Sequence, residues 1–440
     1  MKFFFWFCLV LLIPGMLIRI PFGGAGILAT DIVVPIFALT WIFFKIVKQE
    51  SFPTNSFVLP GTLFGIIAFL TFLWGAWSLS FSEIALSFSY LIRFFSLLIF
   101  GWAAQDLFAE KNLTFSLKNR EERTLPSHAS QKRKELKSSL SIKQTNRGRS
   151  FFKPFFWIFF FVVFFGFLQF YLVPSIADFS TEGGLDPHEG RMLGTWLDPN
   201  FFAGILGFVI PLLCSKFYEA QQKRVKIVYG IFVSIFLIAL FLTFSRSGYV
   251  ASLAGILLFF VFQDWRIILL GILIVGIGLA TNQRAQQRVE ELTGTVSAIV
   301  FQDTDEIDPT ASLRVESWMK SFELWQKYPV LGIGYNTYRT RASEEGIVNA
   351  DYFSAGGSDS TLLTILVTTG VFGFASFLYF LGKLFWVNFQ KFRKNHSVLF
   401  LGFCSGLLSI FVHALFVNSL LFPFVFLPIM AVAGVLENEK

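Results

Sequence analysis

Pro154-Phe-Phe-Trp-Ile-Phe-Phe-Phe-Val-Val-Phe-Phe-Gly-Phe-Leu-Gln-Phe-Tyr-Leu-Val-Pro174 contains no charged residue. Coiled into a helix, it rises about 30 Å, the thickness of a bilayer's hydrocarbon core. Blocks of the same kind recur along the chain. Of its 440 residues, 54% are hydrophobic, 18% aromatic and 15% charged, and 60 are phenylalanine. Average soluble domains carry about 25% charged residues. A water-soluble fold of this length would expose much of that apolar surface and is excluded. The fold class expected is an all-α integral membrane protein.

Outward from this segment, helices are expected over 3–18, 26–47, 57–79, 84–104, 154–174, 200–217, 227–244, 248–263, 266–281, 361–386, 397–416 and 419–437. That makes about twelve transmembrane helices. The organisation read from them is 1–104 (the first four helices), 105–153 (a basic linker), 154–281 (helices five to nine), 282–360 (a long outer loop) and 361–440 (the last three). Met1-Lys2 and the apolar run after them could pass for a signal peptide. A second apolar block follows at once, and the run is read as the first membrane helix.

Orientation comes from charge. Gln105–Lys153 holds 12 Lys/Arg against 5 Asp/Glu, which is the whole of the chain's net +7. A basic surplus confined to one loop marks the cytoplasmic side, so the partner it implies is the bilayer and not nucleic acid. The stretch reads as a mobile linker. Both termini are then expected in the cytoplasm. On the other side, Pro174–Pro199 sets Asp178, Glu182, Asp186, Glu189 and Asp198 against Arg191 alone, and 282–360 has twelve acids and seven bases. Within the long loop, Leu313, Val315, Trp318, Phe322 and Trp325 suggest an amphipathic helix over about 312–327 on the membrane face. Pro329, Gly332 and Gly334 end it.

Three arginines fall on the outer side: Arg191, Arg246 and Arg314. Guanidinium groups bind phosphate oxygens bidentately and keep their charge, so a converging set would hold a diphosphate. The plainer reading of Arg246 is a residue that snorkels to the headgroups and caps the helix before it. Arg93 lies in mid-membrane, where a charge must face protein or a water-filled cavity. It suits either a helix-interior partner or the inner edge of a binding cavity.

For proton transfer the outer candidates are His188, His413 and Asp359. His188 reads otherwise as a solvated loop residue, His413 as a hydrogen-bonded core residue and Asp359 as a helix N-cap. A carboxylate at a membrane rim could instead take a proton from a sugar hydroxyl. No metal or other cofactor is expected. Cys8, Cys214 and Cys404 lie in apolar blocks, and Asp303, Asp305, Glu306 and Asp308 lack the glycine and spacing of a calcium loop.

Several segments together resemble one family. Arg191-Met-Leu-Gly194-Thr-Trp-Leu-Asp198-Pro199-Asn200 resembles the opening element of the O-antigen ligase and polymerase family. Thr243-Phe-Ser245-Arg246-Ser247-Gly248 is similar to its short link. Arg314-x-x-x-Trp318, followed by Pro329-Val-Leu-Gly332-Ile-Gly334, is similar to its long-loop signature, and Gly370-Val-Phe-Gly373 to the step in the next helix. The order matches as well.

The resemblance implies a multi-pass protein of the bacterial inner membrane with its site facing the periplasm. It implies an inverting, metal-independent glycosyltransferase. The donor would be an undecaprenyl diphosphate-linked glycan, and the acceptor a sugar of the lipid A core or another carrier-linked glycan. Arg191, Arg246 and Arg314 would bind the diphosphate. Where the family usually has a His-Asn pair, eleven residues before the first glycine of the step, this chain has Asp359-Ser360. Asp359, or His188, then becomes the expected acceptor base, and ligase and polymerase both stay open. A lipid-phosphate sugar transferase would need an acidic pair in the first outer loop, but Arg19–Ala25 has no acid before Asp31. A glycolipid flippase remains as the non-enzymatic alternative.

Overall fold

The computed structural model describes residues 1–22, 25–109, 130–175, 188–281, 283, 286–287, 290, 309–347 and 357–439. The acidic run 303–308, the acids Asp178, Glu182 and Asp186, and linker residues 110–129 lie outside the described residues.

The helices are α1 (Lys2–Val10), α2 (Ala29–Val47), α3 (Val58–Gly75), α4 (Phe81–Phe108), α5 (Ser130–Leu172), α6 (Pro199–Glu219) and α7 (Lys223–Leu242). They continue as α8 (Arg246–Gln263), α9 (Arg266–Thr281), α10 (Pro309–Lys327), α11 (Tyr338–Glu344), α12 (Thr361–Asn395), α13 (Val398–His413) and α14 (Pro423–Glu437). A hairpin of β1 (Arg19–Phe22) and β2 (Ala25–Leu28) joins α1 to α2, with Arg19 opposite Leu28 and Ile20 opposite Ile27.

Eight helices among the described residues are long and apolar enough to cross a membrane, where the sequence suggests twelve: α2, α3, α4, the Phe151–Leu172 part of α5, α6, α7, α8 and α12. Their lipid faces are plain, since Leu39, Leu59, Ile66 and Leu70 stand exposed. The difference arises at short helices. The expected helix 3–18 stops at Val10, because Pro14 and Gly15 (φ +55°) turn the chain into the hairpin. Apolar helices α13 and α14 are also short; 16 residues rise only about 24 Å.

The linker differs too. α4 runs to Phe108 and α5 begins at Ser130, so all of 130–153 is helical. Its Lys, Arg, Glu, Leu and Gln residues are good helix formers, and no proline interrupts them before Pro154. α12 continues beyond the expected 386 and stops where His396 turns left-handed, φ +52°.

α6 is the central post, buried along most of its length. Small residues let its neighbours close in. A Cβ on Gly402 or Gly406 of α13 would sit 2.8 or 2.7 Å from the α6 carbonyls of Pro211 and Phe208, the small-xxx-small contact of membrane helices. At one end of the bundle α2, α4 and α14 meet. Asp106 accepts from Lys45 Nζ (2.9 Å) and Trp41 Nε1 (3.0 Å), and Glu437 accepts from Ser56. Lys2 lies 5.3 Å from the Phe108 ring at this same end. The starts of α6, α8 and α12 lie at the other end.

Arg93 has a helix-interior partner. Its Nε and Nη2 each meet an Asp31 oxygen at 2.7 Å, and its guanidinium stands 4.1 Å from the Tyr90 ring.

Candidate functional site

The site grows from the start of α6. Leu197 turns left-handed (φ +54°), and Asp198 caps the helix by accepting from the Asn200 and Phe201 amides at 2.7 and 3.1 Å. Pro199 fills the first position, where a missing N–H costs nothing. The turn before it hangs on α5, where Gln169 Oε1 accepts from Leu193 N (2.9 Å) and Gly194 N (3.1 Å).

That turn brings Arg191 across to the end of α7. Its Nε donates to Thr243 O at 2.9 Å and its Nη2 to Asn200 Oδ1 at 3.5 Å. Asn200 Oδ1 also accepts from Ser245 Oγ at 2.8 Å, and Ser245 Oγ accepts from Gly248 N at 3.2 Å as the cap of α8. So Ser245 is the capping residue of the link, and half-buried Arg246 is the first residue of α8. Its backbone stands at the positive end of the helix dipole.

Asp359 enters from α12. The expected cap is one residue off, because Ser360 Oγ accepts from Leu363 N at 3.3 Å and Asp359 stands just outside the helix. This approach is pinned to the link after α13. Thr361 N donates to Ala414 O (2.9 Å), Thr361 Oγ1 to Val417 O (3.0 Å) and Asn418 Nδ2 to Ser358 O (2.6 Å).

Burial pushes the Asp359 carboxyl above its ordinary range; the Arg314 charge opposes this and the Asp198 charge adds to it. Asp359 therefore lies within electrostatic reach of both α10 and the start of α6. His413, at the end of α13, is fully buried, as a core histidine would be. Its Nδ1 is 2.6 Å from Ser419 Oγ, its ring packs on Gly204, and the Arg314 charge reaches it.

The structure thus brings together Arg191, the Ser245–Arg246 link, Arg314 and Asp359, joined through Asn200, Asp198 and His413. Half-buried His188 (φ +48°) borders the group, its carbonyl accepting from Arg191 N at 3.3 Å. Arg93 is engaged with Asp31. Sequence reasoning assigned nothing to Asn200, Ser245 or Gln169. The first two were visible inside the quoted motifs; Gln169 left no signal beyond being polar in an apolar run. Among the described residues no three His, Cys, Asp or Glu side chains form a group that could hold a metal ion.

Residues 230–378 match a family model described as O-antigen ligase. The match runs from α7 into α12 and takes in Arg246, Arg314, Asp359 and Gly370, while Arg191 precedes it. The resemblance carried by the motifs holds over this part of the chain, which points to a glycosyltransferase-like membrane enzyme. No curated protein matches the chain.

Proposed function

We propose that this multi-pass membrane protein, with its O-antigen ligase domain over residues 230–378, transfers a glycan from an undecaprenyl diphosphate carrier to a sugar hydroxyl. The acceptor is the lipid A core or another carrier-linked glycan, on the periplasmic face of the bacterial inner membrane. What carries the reading is one juxtaposition. Arg191 reaches the end of α7 beside the start of α6, Arg246 opens α8, and the charges of Arg314 and Asp198 both act on the carboxyl of Asp359 before α12.

In this mechanism Arg191, Arg246 and Arg314 hold the diphosphate and neutralise the charge that grows as the anomeric C–O bond breaks. Asp359 takes the proton of the acceptor hydroxyl, whose oxygen attacks the anomeric carbon from the opposite side and inverts it. The carrier leaves as its diphosphate, and Asp359 returns the proton to water. No metal or cofactor has a part. His188 is the second candidate base.

Arg246→Ala and Arg314→Ala should abolish transfer while the protein still reaches the membrane. Normal product from both would end the diphosphate reading, and an active Asp359→Asn would move the base to His188. In a deletion strain, loss of every glycan-bearing lipid A band identifies the ligase reaction. A surviving single-repeat band without its ladder identifies the polymerase. Movement of carrier-linked glycan without bond formation would make the protein a flippase.

A further inference from the structure

α12 is broken at Gly370, whose backbone (φ +64°, ψ −170°) is not helical. In an unbroken helix Val371 N would donate to Val367 O. Here both groups turn to the long loop: Val371 N donates to Pro329 O at 2.9 Å, and Val367 O accepts from Ile333 N at 3.0 Å. Thr368 O accepts from Gly334 N at 3.0 Å. Backbone freed in a membrane segment must be satisfied by protein, and Pro329–Gly334 does this.

The approach leaves no room for side chains. A Cβ on Gly370 would collide with the Val330 carbonyl, and one on Gly332 with the Val367 carbonyl. Gly332 (φ +67°) and Gly334 (φ +110°) also hold left-handed backbone, which glycine alone adopts readily.

The inserted segment follows α10 almost at once, since α10 ends at Lys327. α10 is held again higher up, where Ser321 Oγ meets Tyr338 OH at 2.5 Å and Trp318 packs on Phe416, ring centroids 6.0 Å apart. Leu324, Ile333, Tyr338, Ala342 and Ile347 of the loop share one small core with Val367 of α12. Arg314 lies on α10 and Asp359 just before α12, so both hang on the two elements bolted together at this break.

We infer that Gly332, Gly334 and Gly370 are positioning residues: the loop inserted at the Gly370 break registers Arg314 against Asp359. The use of that register in transfer rests on the function proposed above; the lock itself does not.

The test uses the full-length protein in lipid nanodiscs. Amide hydrogen exchange should be slow at Ile333, Gly334 and Val371, become fast there in Gly370→Ala, and stay unchanged in α6 and α13. Transfer by Gly370→Ala should fall about a hundredfold, the scale of an ångström-size misplacement. Arg314→Lys, which keeps the charge and part of the transfer, combined with Gly370→Ala should be no worse than the more severe single variant, because both act through one group. Gly332→Ala alters only the loop side and should behave alike if Gly370→Ala does not fold. Fast exchange in the unaltered protein would overturn the lock. Losses that multiply, or full transfer with the loop released, would overturn its role in positioning. An Arg314→Ala enzyme with full activity but slow exchange would remove the diphosphate reading and leave the lock standing.

Discussion

Asn200 and Ser245 tie two helix starts together: the Ser245 hydroxyl donates to Asn200 Oδ1 at 2.8 Å, and the same oxygen lies 3.5 Å from Arg191 Nη2. One amide oxygen thus sets the spacing of α6, α8 and an arginine. Asn200→Ala should leave Ser245 and Arg191 short of a partner, a loss of about 1–3 kcal/mol for a buried polar group. Transfer per unit of membrane-inserted protein, measured by gel and immunoblot, should fall at least tenfold, the equivalent of about 1.4 kcal/mol. Unchanged transfer would show that the two helix starts hold their spacing without it.

The raised Asp359 carboxyl gives a pH signature with a definite sign. As the base of the proposed reaction Asp359 must be ionised, so transfer should fall on acidification at a pH above the ordinary aspartate value of about 3.9. For stability the sign is opposite. A folded pKa above the unfolded one means that stability is fully present below the unfolded value and is lost as pH rises through the folded value. Asp359→Asn should therefore abolish transfer yet melt higher than the unaltered protein at neutral pH, and the difference should vanish in acid. A lower melting temperature at neutral pH would show that the carboxylate stabilises the fold.

Ser360→Ala separates the cap from the base. Ser360 Oγ accepts from Leu363 N, and loss of an N-cap costs about 1 kcal/mol. This variant should melt lower while transfer per folded molecule stays within a fewfold. A loss as complete as that of Asp359→Asn would merge the two roles.

The Arg93–Asp31 pair makes two contacts of 2.7 Å, with side chains only 13% and 12% exposed. Removing one partner strands a buried charge and costs about 3–5 kcal/mol, whereas removing both costs much less. Arg93→Gln or Asp31→Asn alone should lower the melting temperature in detergent, and the double variant should recover much of it. Equal damage in all three would place the charges in contact with solvent.

Much of the candidate site was legible in the sequence. Arginines beside apolar blocks are rare and expensive, so Arg191, Arg246 and Arg314 stood out by type, and the glycine motifs by their order. Their meeting was not legible, since it runs through Asn200, Asp198 and His413 on elements far apart in the chain. Arg93 could not be assigned because its partner lies 62 residues away. Hydropathy counted helices but could not see that Pro14 and Gly15 stop α1 early. Gly370 read as one member of a repeated glycine step, because periodicity is blind to a break that a distant loop repairs.

The stapling of Ser358–Thr361 to Ala414–Asn418 sets an order of events during synthesis. Asp359 emerges from the ribosome well before the segment that holds it. A nascent chain can thread its earlier helices into the membrane without completing the carboxylate's seat. The seat of Asp359 is therefore complete only once α13 and the link after it have joined the bundle.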